Sequence, residues 1–301
     1  MKNITNNQKV IVIIVLIILG IFCLYKWSNV SKNKADENVK VTDVDAPVSE
    51  DISDASSDMQ FELNDDAILG ITPVSPDKGF VTGLKEYPLL TWRINKIVEK
   101  TKQTNINVKY PYFLGGEKVT KLNGYVESYI QKTIKMDRKE LKDIINAGPN
   151  SDRFSSLDLS VGYRVIGVIN GIVSLEMVNI DFTGGGNGNH SMPVIINWDL
   201  KKDRLLKTNE LFCSKDYLSM IKPLARDRLL VDIKNNPNVE VDFLKAKSTI
   251  EEGTMDSSNY EDIMPYKNGV IVVFPPYSIL SGIFGILRVY IPDTNNLLCL
   301  P

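Results

Sequence analysis

Sixteen residues near the start of the chain, Val10–Tyr25, read VIVIIVLIILGIFCLY, and thirteen of them are Val, Ile, Leu or Phe. A segment with no polar face has no place at a water-exposed surface, so this run dictates the surroundings of everything that follows. As a helix it is about 24 Å long, a little short of a hydrocarbon core of about 30 Å. Lys9 on one side, and Lys26 and Trp27 on the other, reach the headgroup zone and make up the difference. The run therefore reads as an uncleaved signal anchor over residues 10–27, giving a single-pass protein that meets the lipid bilayer through that segment. A cleaved signal peptide is the alternative. The run is longer than the usual apolar region of about 7–15 residues, and Asn33 and Lys34 ahead of Ala35 make a poor cleavage site. Residues 1–9 carry Lys2 and Lys9 and no acid, which places them in the cytoplasm and the bulk of the chain on the periplasmic or cell-wall side.

Charge divides the remainder. Residues 28–84 hold four Lys/Arg against twelve Asp/Glu, whereas residues 85–301 hold 28 against 25. The acidic stretch is rich in Asp and Ser and poor in aromatics. It buries too little apolar surface to offset its ordering entropy, so residues 28–84 read as a disordered tether. The near-neutral remainder lacks the concentrated basic face that nucleic acid requires. Cys23 lies in the apolar run, leaving Cys213 and Cys299 outside it. An oxidising compartment permits a bridge between them, and two buried free thiols fit equally well. With no CxxC and no Cys/His cluster, neither a zinc site nor a cofactor is expected.

Residues 85–301 are long enough for one large domain, with 85–200 and 201–301 as candidate subdomains. Thr91–Glu99 and Thr104–Phe113 are rich in β-branched and aromatic residues and read as strands. From Glu117 to Ile145 the period becomes helical, with Val119, Leu122, Val126, Tyr129, Ile130 and Ile134 on one stripe. Strand patterns return on both sides of Asn170–Gly171, a strong hairpin signal. A third strand, SMPVIINWDL, follows. Ser214 is placed to cap a helix through Ile233, in which Pro223 predicts a kink or restart. The last strands, YEDIMPY, GVIVVFPPY and GILRVYIP, include a second hairpin signal at Asn268–Gly269. Hairpin signals outnumber crossovers. The expected class is α+β, with antiparallel sheets on which one long and one medium helix pack, preceded by a single transmembrane helix.

The most unusual segment is Gly184, Gly185, Gly186, Asn187 and Gly188, followed by Asn189 and His190. Such a loop can turn backbone N–H groups toward a ligand. It lacks the Lys-Ser/Thr of a P-loop, however, and lies between strands, where a tight connection is the simpler role. His190 is the chain's only histidine. Its neighbour Ser191 points to the opposite face of a strand, so the two do not make a nucleophile–base pair. Asp181 and Asp199 flank the loop and are the carboxylates that could face each other for glycan hydrolysis. One histidine is too few for a metal-dependent deacetylase. After Phe274, Pro275–Pro276 ends a strand, and Tyr277 either packs as a corner or offers an aromatic contact to a glycan or peptide.

Three segments in order, VKYPYFLGGEKVTKLNGYVESYI, DFTGGGNGNHSMPVIINWDLKKDRLLKTNELF and NGVIVVFPPYSILSGIFGILRVYIP, resemble the extracytoplasmic RsiV-like family over most of Val108–Pro292. That domain occurs in a lysozyme-sensing anti-sigma factor and ahead of the catalytic domain of the peptidoglycan deacetylase PdaC. The Ala-His of the family's loop is Gly186–Asn187 here, and His190 stands three positions further on, so no imidazole role carries over. The nine residues before the apolar run are too few for a sigma-binding domain, and no deacetylase catalytic domain is recognisable. The resemblance implies the binding or sensor part alone. It would be a non-catalytic envelope module whose ligand is a lysozyme-like hydrolase, a peptidoglycan fragment or an envelope protein. A cell-envelope glycan-acting enzyme, or an accessory domain of one, is the alternative.

Overall fold

The computed structural model describes residues 75–85, 87–146, 156–183, 190–235, 243–293 and 297–300. All of them belong to the second of two units, Gln60–Pro301. The apolar run 10–27 and the glycine loop 184–189 lie outside the described residues. Among the described residues, no helix is long and apolar enough to cross a membrane.

The β-branched segments form a seven-stranded sheet whose spatial order follows the chain: β1 (Phe80–Leu84), β2 (Tyr87–Lys100), β3 (Thr104–Leu114), β4 (Leu157–Ile169), β5 (Ile172–Thr183), β6 (His190–Asp199) and β7 (Arg204–Leu205). β1 falls within the residues expected to be tether. Phe80 and Leu84 are apolar and find partners: Phe80 stacks on Trp92 at 5.8 Å, and Leu84 packs into the first core. All neighbouring strands are antiparallel except β3 and β4, which run parallel from Thr104/Leu157 to Val108/Val161. The expectation of antiparallel sheets alone is corrected by this pair. Helix α1 (Thr120–Asn146) joins the two strands, and its 27 residues are long enough to carry the chain back along the sheet.

At Asn170–Gly171 both residues have positive φ, 52° and 83°, as a tight hairpin between β4 and β5 demands. The hairpin joining β8 (Ile263–Tyr266) to β9 (Gly269–Phe274) turns on Lys267 and Asn268, one residue earlier than expected. Gly269 serves a different purpose there. A Cβ at that position would lie 2.2 Å from the Ile291 carbonyl oxygen on β10 (Leu287–Pro292), so only glycine lets the strands approach. Strands β8, β9 and β10 form a separate three-stranded sheet in the order β10-β9-β8.

Helix α2 (Tyr217–Lys234) runs through Pro223 as one element, burying Tyr217, Ile221, Ala225, Leu229 and Ile233 at four-residue steps. Ser214 does not cap it. The Ser214 hydroxyl accepts from the Asp216 N–H and shapes the turn ahead of the helix. A third helix, α3 (Phe243–Met255), follows.

Burial sorts these elements into layers. One face of the large sheet, carrying Leu159, Val161, Val173, Leu175 and Met177, packs with α1 in the first core. The long β2–β3 ribbon contributes to that core by curling. β3 pairs with β4 only as far as Val108, and beyond it the buried positions change from Ile106, Val108 and Tyr110 to Pro111 and Phe113. The curl brings the Trp92 indole N–H to the Tyr163 hydroxyl at 3.2 Å. On the opposite face, Ile166 meets Met264, Tyr266, Ile271 and Val273 of the small sheet. The small sheet's far side, with Val270, Val272, Phe274 and Val289, meets α2 and α3 in a further core.

Where β3 leaves β4, the backbone of Phe113 needs new partners. Buried Asn123 of α1 supplies both, accepting from the Phe113 N–H at 2.8 Å and donating to its carbonyl at 2.9 Å. Asn123→Ala leaves a buried donor and a buried acceptor unpaired, an expected loss of about 2–3 kcal/mol. Urea unfolding of the single variant measures it.

Candidate functional site

On β5 the row facing α1 is apolar through Val173, Leu175 and Met177 and then turns polar at Asn179 and Asp181. Opposite it, α1 presents Tyr129, Thr133 and Asp137 at four-residue steps along the margin of its buried stripe, all half-buried. The Asn179 amide N–H donates to the Tyr129 hydroxyl, which is also hydrogen-bonded with Thr133. Burial raises the Tyr129 hydroxyl above its ordinary value. It also pushes the Asp137 carboxyl up to about 6, and the negative charges of Asp181 and then Glu140 add to the effect. Fully buried Leu159 stands beside Asp181 in the β4–β5 register, which limits solvation from that side. Asp137 Oδ2 is buried with no hydrogen-bond partner among the described residues. The arrangement is a carboxyl that takes up its proton near pH 6 beside a second carboxylate.

A folded-state value raised from 3.8 to about 6 means that the native protein holds this proton more tightly than the unfolded chain. Its contribution to stability is therefore fully present below about pH 4 and is lost as pH rises through about 6. Asp262, raised to about 6 by burial, then by Glu261 and Glu176, acts in the same direction. Asp137→Asn is expected to raise the urea midpoint at pH 7.5 and to flatten the stability profile between pH 4 and 6 to the slope left by Asp262.

The residues singled out from sequence are not gathered at one place. His190 opens β6 opposite Asp181 in the ladder, and residues 184–189 lie outside the described residues. Asp181 and Asp199 do not face each other. Asp199 pairs with Ile172 at the other end of β6, nine positions from His190 and so roughly 30 Å away along the strand. The Asp199 carboxylate is buried and accepts from the Lys201 and Lys202 N–H groups, holding the turn into β7. Tyr277 belongs to a different layer. It has a φ of 67°, is 74% exposed and lies over Gly282, in a corner tied to the end of α3 by Asn259, which donates to the Gly253 and Ser278 carbonyls. Cys213 and Cys299 form a disulfide.

A second surface emerges only from strand register. The small sheet covers the large one around Arg164, Ser174, Glu176 and Asn197 and leaves the same face open nearer the β2–β3 turn. Two cross-strand rows lie there: Lys100, Asn105, Asp158 and Phe182, then Val98, Asn107, Ser160, Ile180 and Ser191. Val98, Asn105, Asn107, Asp158 and Ser160 are exposed, and Ile180 and Phe182 are half-buried. Beyond them Lys96 stands directly opposite Lys109, both exposed. Like charges at that position disfavour the pairing. Among the described residues, Lys96, Lys100 and Lys109 have no ion-pair partner. The sequence signal for this face is the alternation NINVKY in β3, whose polar positions share one side, but the strand that extends it is set by the parallel pairing.

Residues 97–190 match the family described as Deacetylase PdaC, and residues 205–294 match the family described as Protein of unknown function (DUF3298). The first match runs from the last four residues of β2 to the start of β6, and the second contains α2, α3 and the small sheet. No curated protein matches. Among solved structures, a member of the DUF3298 family from Bacteroides fragilis NCTC 9343 is similar at 17% identity, covering 70% of this chain and 94% of that one with a TM-score of 0.50. A DUF3298 family protein from Pseudomonas aeruginosa PAO1 is similar at 12% identity with the same coverages and a TM-score of 0.48. At 17% identity the likeness to the Bacteroides protein is one of fold.

Proposed function

We propose that this chain, whose folded part is an RsiV/PdaC-like domain of unknown function, works as a non-catalytic binding module of the cell envelope, held to the cytoplasmic membrane by residues 10–27 and facing outward. The observation that carries the reading is the open half of the large sheet. It is a registered surface of amides, hydroxyls, lysines and a few apolar side chains that no other element covers among the described residues. The Cys213–Cys299 disulfide supports an oxidising location, and the apolar run supports the tether. Crosslinking in intact cells followed by capture of the full-length chain tests the reading. An envelope glycan or protein should be recovered, and recovery of neither counts against it. Protease added to spheroplasts should digest the folded part; protection there, with digestion after lysis, would refute the orientation.

One observation favours an envelope glycan-acting enzyme instead: the Asp137 carboxyl, which protonates near pH 6 beside Asp181. In that reading Asp137 replaces Asp199 as the partner of Asp181. Mass analysis of muropeptides after incubation of peptidoglycan with the protein separates the two readings. New products that vanish in Asp137→Asn would establish the enzyme.

A further inference from the structure

We propose that the open sheet face binds an anionic glycan, a chain of sugar rings bearing carboxylates, with Lys96, Lys100 and Lys109 meeting the charges, Asn105 and Asn107 the hydroxyls, and Phe182 a ring face. The proposal rests on the binding-module reading and adds the chemistry of the ligand. Three features of the face carry it.

The first is charge. Lys96 and Lys109 oppose each other across the β2–β3 ladder with no acid between them, and Lys100 lies four residues along β2 on the same side. Four residues of strand span about 13 Å, so positive charge occurs at both ends of the face. Asp158, beside Asn105 in the parallel register, is the one acidic residue in the two rows. A local repulsion built into a ladder is relieved by an anion placed between the two ammonium groups.

The second is the polar content of the rows. Asn105 and Asn107 are exposed and two residues apart on one strand, which sets their amides about 7 Å apart on a rigid backbone. Each amide offers both a donor and an acceptor, which suits ring hydroxyls. The half-buried ring of Phe182 lies in the Asn105 row, two strands from Asn105. The third is the scarcity of protruding apolar side chains in the two rows. An anionic membrane surface is met by protruding apolar side chains set among basic ones. In the two rows Val98 is the one strongly exposed apolar side chain, and the amides of Asn105 and Asn107 and the Ser160 hydroxyl are exposed with it.

The test uses the full-length chain in neutral detergent. The probes are hyaluronan oligosaccharides, which alternate uronate and N-acetylhexosamine; neutral N-acetylglucosamine oligomers of similar length; and phosphatidylglycerol vesicles. Hyaluronan should bind more tightly than the neutral oligomer and should weaken about tenfold or more between 50 and 300 mM salt. Lys96→Glu turns the repulsive pair into an attractive one, so it should raise the urea midpoint while weakening hyaluronan binding. Lys100→Glu/Lys109→Glu should weaken binding about tenfold, and Lys139→Glu/Lys142→Glu, on exposed positions of α1, should leave it unchanged.

Equal affinity for the neutral oligomer, or hyaluronan binding indifferent to Lys100→Glu/Lys109→Glu, would overturn the proposal. Binding to the vesicles but to neither glycan would overturn it in favour of a membrane surface. If neither glycan binds but cellular capture of a protein is abolished by Lys100→Glu/Lys109→Glu, the binding module stands and the glycan falls. If capture also fails, both fall.

Discussion

Glu176→Gln is expected to lower the unfolding free energy by about 3–5 kcal/mol, a large fraction of the about 5–15 kcal/mol that holds an ordinary domain folded. Glu176 is fully buried on β5, at the face where the large sheet meets the small one. Arg288 of β10 donates to it through Nε, at 2.9 and 3.2 Å from the two carboxylate oxygens, and its Nη2 lies 2.8 Å from Oε1. Arg164 of β4 reaches within 3.9 Å of Oε2. One carboxylate thus answers two buried guanidinium groups that arrive from different sheets. Removing its charge leaves two cations in a medium that solvates them poorly, which is far more costly than losing an exposed pair. Replacing all three residues with apolar side chains of similar volume (Arg164→Met, Glu176→Leu and Arg288→Met) should recover much of the loss, because the desolvation penalty disappears along with the attraction. Urea unfolding of the single and triple variants measures both effects. A Glu176→Gln protein with an unchanged midpoint would show that water reaches the cluster.

Reducing the Cys213–Cys299 bridge is expected to cost about 4–5 kcal/mol, since it closes a loop of 86 residues and the loss of unfolded-chain entropy grows with loop length. The loop contains α2, α3, β8, β9 and β10, so the bridge fastens the beginning of the second half to its end. Local structure reinforces it. The Cys213 N–H donates to the Leu297 carbonyl at 2.9 Å and the Cys299 N–H to that of Leu211 at 3.0 Å, around a bridge between Phe212 and Leu298. Phe212 in turn stacks on Tyr217, at the first turn of α2, with ring centroids 4.1 Å apart. Thermal unfolding with and without reductant, compared with Cys213→Ser/Cys299→Ser, tests this. Both treatments should lower Tm alike, and hydrogen exchange should accelerate first in the segment carrying Leu297–Leu300. An unchanged Tm on reduction would mean that residual structure already constrains the unfolded chain.

Both clusters left a trace in the sequence, and the trace shows where local reading stops. Arg164, Glu176 and Arg288 are single charges inside apolar strand patterns, GYRVI, SLEMV and ILRVYI. That signals a strand buried on both faces, but only sheet-on-sheet packing reveals that the charges answer one another. Asp137 sits at the edge of an evident apolar stripe. Its partner Asp181 is 44 residues away and meets it only because α1 crosses back over β5. Asp181 and Asp199 do not meet, because flanking a common loop in the chain is not closeness in space. A ten-residue strand carried Asp199 to the far end of the ladder.

By itself the sequence determined what depends on neighbours a few residues apart. That includes the apolar run, most of the strands and the two main helices, the Asn170–Gly171 turn and the α+β class, because periodicity and backbone preference act over one or two turns of chain. Tertiary structure alone decided the parallel join of β3 to β4, the stacking of the small sheet on the large one, the Cys213–Cys299 pairing and the lysine-lined open face. Each of these depends on strand register and layer order, which residues distant in the chain set together through the surface they bury against one another.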